Sequence, residues 1–173
     1  MHNLKLSALI MFVAMLSGCA TTNYSEVGFD PQRSYRIVSL ISAKSLSVVG
    51  AQAAELSKIN QFRFKDLPTQ RWNIEEVAPA TYKILAEDST LAISVEGRHS
   101  SGSGYGLILL PYRGVQGQHW HIEHVANGRY IIYSTENNAG FDVRGGATGD
   151  GVEIMLWPQH GSTNQKWLIK EYK

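Results

Sequence analysis

From Ser34 onward, apolar and polar residues alternate in runs of four to six, the period-two pattern of strands that bury one face and solvate the other. Turn-forming clusters separate the runs, notably Ser100–Gly106, Gly145–Gly151 and Pro158–Asn164. The only helical expectation is a single turn over Ala51–Leu56. The strand pattern also recurs. Three stretches open with Tyr and apolar residues, at Tyr35-Arg36-Ile37, Tyr82-Lys83-Ile84 and Tyr130-Ile131-Ile132. Each continues with a short segment closing on glycine (Leu46 to Gly50, Ile93 to Gly97, Phe141 to Gly145). Each then ends in Gln-x-Trp followed by an apolar residue two places on: Trp72/Ile74, Trp120/Ile122 and Trp167/Ile169.

The closing tryptophans are 48 and 47 residues apart, and opening Tyr to closing Trp measures 37, 38 and 37 residues. Such a period marks an internal repeat, with units of about 34–78, 79–126 and 127–173. Each unit reads as about four short strands, hence about twelve in all, and closure into a barrel with a hairpin cap hides the sheet edges. The chain is expected to be all-β.

Three units of this length, each closed by Gln-x-Trp with matched flanking strands, resemble the ricin B-type lectin domain. The resemblance covers residues 34–173 and implies a β-trefoil of three pseudo-symmetric four-strand repeats. It also implies that Trp72, Trp120 and Trp167 pack the core, each with an N–H that needs a partner, and that the ligand is a carbohydrate. Sugar binding in the family uses an early carboxylate, a later aromatic platform and an Asn beside the closing Gln. The physical reason is that a pyranose offers hydroxyls to carboxylate and amide groups and a C–H face to a ring.

The third repeat carries this set in order, as Asp142, Trp157 and Asn164, with His160 in the intervening loop as an extra platform or donor. At the corresponding places the first repeat has Ser47, Phe64 and Thr69, and the second has Ser94, Leu110 and Gly117. These two are read as scaffold. Met155 stands where many family members place a polar residue that assists the carboxylate. Two plainer roles compete with ligand binding: Asp142 as an acceptor for turn amides near Gly145 and Gly146, and Trp157 as a half-buried strand residue.

Ahead of the repeats, Lys5, the apolar run Leu6–Leu16 and Leu16-Ser17-Gly18-Cys19 have the form of a secretory signal over residues 1–18. The apolar run is shorter than the ~20 residues a membrane-spanning helix needs. The small residues before Cys19 resemble a bacterial lipoprotein signal, which implies that Cys19 is acylated (palmitate among the acyl groups) and anchors the chain to a membrane. Ala20 after it points to the outer membrane of the cell envelope. Residues 19–33 then form a polar tether. Cys19 is the chain's single cysteine, so no intrachain disulfide can form.

Beyond the signal, fifteen basic residues balance fifteen acidic ones, which gives no electrostatic footprint for nucleic acid. His119, His121 and Glu123 alternate on one expected strand face, but a flat strand converges metal ligands poorly, so no metal or other cofactor is expected. Gly102-Ser103-Gly104-Tyr105-Gly106 loosely matches a phosphate loop yet leads into an apolar strand, and it reads as a hairpin. No Gly-x-Ser-x-Gly elbow is present. Asp142, Asp150 and Glu153 read as acids on a solvated turn, so no enzyme is expected. The rival to a lectin is a non-enzymatic protein-interaction trefoil, for instance a toxin-type subunit, with a vestigial sugar site and a protein partner.

Overall fold

The computed structural model describes residues 28–98 and 104–173. The expected signal segment, Cys19 and the first part of the expected tether lie outside the described residues, as do residues 100–103 of the Ser100–Gly106 turn. Among the described residues the chain forms twelve strands: β1 Tyr35–Ser39, β2 Ser45–Val48, β3 Ile59–Phe62, β4 Trp72–Ala78, β5 Thr81–Ala86, β6 Leu91–Arg98, β7 Tyr105–Pro111, β8 Trp120–Ala126, β9 Arg129–Ser134, β10 Gly140–Val143, β11 Val152–Trp157 and β12 Trp167–Glu171.

Six of them close a ring, in the order β1–β12–β9–β8–β5–β4 and back to β1. The closing contacts repeat around the ring: Tyr35 opposes Trp72, Tyr82 opposes Trp120, and Tyr130 opposes Trp167. The remaining strands form three hairpins, β2–β3, β6–β7 and β10–β11. These are joined to one another through β11, which pairs with both β3 and β7. A closed ring under a layer of three hairpins is a β-trefoil.

The core follows the repeat. Ile37, Ile84 and Ile132 fill equivalent inward positions, and the three Gln-x-Trp tryptophans are wholly buried. Each indole N–H donates to a carbonyl of its own repeat's second strand: Trp72 to Leu46 at 3.1 Å, Trp120 to Ile93 at 3.2 Å, Trp167 to Phe141 at 3.2 Å. Ring and N–H are thus both satisfied, as burial of an indole requires.

The glutamines act as loop clamps. Each sits in a 3-10 turn before the last strand of its repeat: Pro68–Gln70, Gln116–Gln118 and Thr163–Gln165. The side-chain carbonyls of Gln70, Gln118 and Gln165 accept from the backbone N–H of Lys65, Arg113 and His160 at 2.7, 2.7 and 3.0 Å. Their amide groups donate to the carbonyls of Arg63, Pro111 and Pro158 at 2.9, 2.9 and 3.1 Å. Apolar periodicity cannot reveal these short turns.

Three expectations change. Ala51–Leu56 is not helical; it is a run of bends and turns ending with Leu56 at φ 65° and exposed. The tether is not polar linker to its end. Phe29 packs edge-on against Tyr35 and Tyr82, with centroids 5.3 and 5.6 Å apart, and lies 6.4 Å from Tyr130. One phenylalanine therefore touches all three repeat-opening tyrosines at the start of β1, β5 and β9, where its ring stoppers the barrel. Finally, Trp157 opposes Gly140 just as Phe62 opposes Ser45, so the first repeat's counterpart of Trp157 is Phe62 and not Phe64. A hairpin of different length shifts any alignment made from sequence spacing.

Phe29→Ala should lower unfolding free energy by about 2–4 kcal/mol in urea titration, from a lost aromatic body and its edge contacts. A residue of a plain tether would stay within about 0.5 kcal/mol.

Candidate functional site

The third-repeat hairpin β10–β11 builds the site. Asp142 and Met155 oppose each other across it, so their side chains leave the same face of the sheet. Gly145 and Gly146 follow β10 at φ 63° and 64°, a left-handed pair that side chains with a Cβ disfavour, and the chain turns back there toward β11. At the far end of β11 the clamp of Gln165 holds Pro158 and His160. It thereby fixes both Trp157 and the loop to Asn164. Asp142, Trp157, His160 and Asn164, the residues expected from sequence, line one pocket with Arg144, Gly145 and Met155, of about 440 Å³.

Asp142 is buried, with 4% of its surface exposed. Its Oδ1 accepts from Asn164 Nδ2 at 2.9 Å, and its Oδ2 lies 3.1 Å from His160 Nε2. Its side-chain partners are thus loop residues beyond Trp157 and not the glycine-turn amides. Burial pushes the carboxyl above the usual carboxylate range, and hydrogen bonding from His160, Gln165 and Asn164 opposes that rise.

His160 has a defined orientation. Its backbone N–H is held by Gln165, and its Nδ1 accepts from Ser162 N at 3.3 Å. The ring proton is therefore on Nε2, aimed at Asp142. Asn164 is also oriented: its Nδ2 donates to Asp142 and, at 3.3 Å, to the Val143 carbonyl. Turning the amide over would set its oxygen against two acceptors. Trp157 is half-buried at the pocket wall.

Other repeats supply support that no local pattern announced. Buried Gln61 of β3 donates to the carbonyls of Ala147 and Gly149, each at 2.9 Å, and shapes the loop between β10 and β11. Asp150 accepts from Arg63 N at 2.8 Å and Arg63 Nε at 2.6 Å and lies 3.5 Å from Lys44 Nζ. The Arg63 hydrogen bond holds this carboxyl below the usual range. Glu153 bonds Arg144 Nη1 at 3.0 Å. The three acids read as a solvated turn are thus one buried carboxylate and two ion-paired ones. Gly104 backs the platform strand, where an added Cβ would come within 2.6 Å of the Leu156 carbonyl and 3.0 Å of the Trp157 ring.

The equivalent serines and the first repeat's aromatics have local partners. Ser47 Oγ donates to its neighbour's carbonyl at 3.3 Å, and Ser94 Oγ accepts from Gln118 at 3.0 Å. The Lys65 ammonium lies over the Phe62 ring, 5.0 Å from its centroid. Phe64 is covered by the Arg36 guanidinium at 3.4 Å.

The histidines of the second repeat are likewise engaged. His119 precedes β8 and bonds the Tyr112 hydroxyl at 3.0 Å, while His121 Nδ1 lies 2.8 Å from the Ala80 carbonyl. Glu123 accepts from Tyr133 at 3.4 Å.

Among the described residues this is a trefoil whose third repeat carries a pocket with polar groups beside an aromatic wall. Comparison with known proteins gives it a family: the profile of the ricin-type beta-trefoil lectin domain matches residues 33–167, and the chain belongs to that family. The family is generally non-enzymatic and carbohydrate-binding. No curated protein sequence matches the chain.

Among solved structures it is similar to an exo-beta-1,3-galactanase from Clostridium thermocellum, at 28% identity and TM-score 0.77, over 84% of this chain and 31% of the enzyme. It is also similar to the designed three-fold symmetric protein ThreeFoil, at 25% identity and TM-score 0.75, over 80% of this chain and 99% of the design. The ricin B-like lectin of Macrolepiota procera, in complex with lactose, shares the fold at 18% identity and TM-score 0.68, over 84% of this chain and 99% of the lectin.

The raised pKa of Asp142 has a consequence for stability. The protonated form suits the folded environment, so the contribution of Asp142 is complete in acid and lost as pH rises through its folded pKa. The parent should therefore gain melting temperature relative to Asp142→Asn as pH is lowered from neutral, by differential scanning calorimetry. A difference that does not change with pH, or that shrinks in acid, would contradict the raised pKa.

Proposed function

We propose that this protein is a membrane-anchored, lectin-like lipoprotein that binds carbohydrate at one site, in its third repeat. The observation that carries the reading is the convergence of Asp142, Asn164 and the Trp157 ring on one pocket, with a carboxylate kept in a buried position that the fold alone does not favour. A pyranose laid on Trp157 buries its C–H face and turns its hydroxyls to Asp142 and Asn164. Asn164 meets it through its oxygen, because both amide hydrogens are bonded within the protein. His160 contributes by orienting the carboxylate. Such a shallow, single-site contact corresponds to an affinity near the millimolar range, about 4 kcal/mol. Many copies on one surface raise avidity without further contacts.

Anchoring rests on the sequence before the fold. Acylation at Cys19 tethers the domain to the bacterial cell envelope, and Ala20 directs it to the outer membrane. More than one acyl chain is needed for stable attachment, as lipoprotein processing provides. Phe29 lies ten residues beyond Cys19, so the anchor enters the domain at the stoppered end of the barrel.

Calorimetric titration of the purified protein against a panel of neutral and amino monosaccharides tests the sugar site. Binding to at least one member is expected, with Asp142→Ala and Trp157→Ala each weakening it by about tenfold or more, or 1.4 kcal/mol. Phe62→Ala should leave it unchanged. Binding to no member, or binding indifferent to Asp142 and Trp157, would contradict the assignment. For the anchor, Cys19→Ser should abolish labelling by radioactive palmitate and release the protein from the membrane fraction.

A further inference from the structure

The hydrogen-bonding capacity of the pocket's inner edge is one-sided. Asn164 has both amide hydrogens engaged, on Asp142 and Val143, and offers only its oxygen. The ring proton of His160 is directed at Asp142, and its other nitrogen is occupied by Ser162. Arg144, the remaining charged donor on the wall, is half-exposed at the rim with Nη1 held by Glu153. Met155 contributes a thioether beside the carboxylate, at a place where a polar side chain would donate. The inner polar edge is therefore built of acceptors: the Asp142 carboxylate and Asn164 Oδ1.

A neutral hydroxyl fits such an edge incompletely. It donates one hydrogen, and its own lone pairs then need donors that the edge does not supply. Asp142 is also a buried carboxylate whose side-chain partners are amides and an imidazole, with no Lys or Arg ion pair among the described residues. Buried charges are ordinarily paired with an opposite charge. An ammonium group answers both conditions, having three donors, no acceptor and a fixed positive charge. The Trp157 face beside it attracts cations as well. The Arg144 charge does not oppose this, because Glu153 offsets it.

From this we propose that the third-repeat pocket selects amino sugars, that is hexosamines with a free ammonium, which binds Asp142 while a neighbouring hydroxyl donates to Asn164 Oδ1 and the ring packs on Trp157. The inference rests on the carbohydrate reading above and narrows its ligand class. Charge-assisted hydrogen bonds are about twice as strong as neutral ones, so the preference should be readily measurable.

The test is calorimetric titration of the full chain with glucosamine and galactosamine in their ammonium form, beside their N-acetylated and 2-hydroxy counterparts and ethylammonium. The free amines should bind about tenfold tighter than either counterpart. Asp142→Asn should erase that difference while leaving weak binding to all the sugars. If Asp142→Asn does not fold, Asn164→Leu, which removes the second acceptor, serves instead and should weaken the amino sugars more than ethylammonium. N-acetylated or 2-hydroxy sugars binding as tightly as the free amines would overturn the amino-sugar proposal and leave the carbohydrate site standing. Ethylammonium binding as tightly as the amino sugars would overturn it too, since the sugar ring would then contribute nothing. No binding by any sugar of the panel would remove both.

Discussion

A tryptophan cannot be buried unless its N–H finds an acceptor, and this trefoil meets that condition three times in the same way. Each closing indole reaches the carbonyl at the centre of its repeat's second strand, which pins the hairpin layer to the ring beneath it. The glutamine two residues earlier clamps the end of the third strand and the loop after it. Ring closure, hairpin position and loop shape thus depend on one tripeptide and its backbone partners. A barrel closed by three such contacts presents no open sheet edge.

Symmetry of scaffold frees the copies to differ in chemistry. In the first two repeats the second-strand serines turn to local partners, and aromatic or aliphatic side chains take the platform place. In the third, the same backbone carries a carboxylate that burial pushes toward its neutral form. Asn164 and His160 restrain that shift from the loop held by Gln165. The clamp common to all three repeats has here acquired a second role, as the support that holds the site's polar groups in place. A carboxyl shifted by burial beside an aromatic wall marks a candidate binding site.

The fold was legible because its determinants recur: the spacing of the Gln-x-Trp tripeptides and the opening tyrosines report the repeat directly. Asp142, Trp157, Asn164 and His160 were legible because they stand in one continuous segment. What sequence could not supply came from elsewhere in the chain. Gln61 in β3 and Arg63 just after it shape the third-repeat loop from the first repeat, about ninety residues away. Gly104 makes room for the platform strand from a neighbouring hairpin. The Phe64 assignment failed because spacing was carried across hairpins of unequal length, whereas strand register pairs Phe62 with Ser45. Phe29 was missed because a lone aromatic in a polar stretch has no periodicity; only the barrel shows that three tyrosines converge on it.

The central claim is that a threefold scaffold carries a single ligand site. Mapping amide and indole chemical-shift changes by nuclear magnetic resonance during titration with a bound sugar tests it most directly. The account predicts saturating shifts for the Trp157 indole N–H and the amides of residues 142–146 and 160–164, with the counterparts around Phe62 and Leu110 unmoved. Comparable shifts in the first or second repeat, or a Trp157 indole that does not respond while the sugar binds, would contradict it.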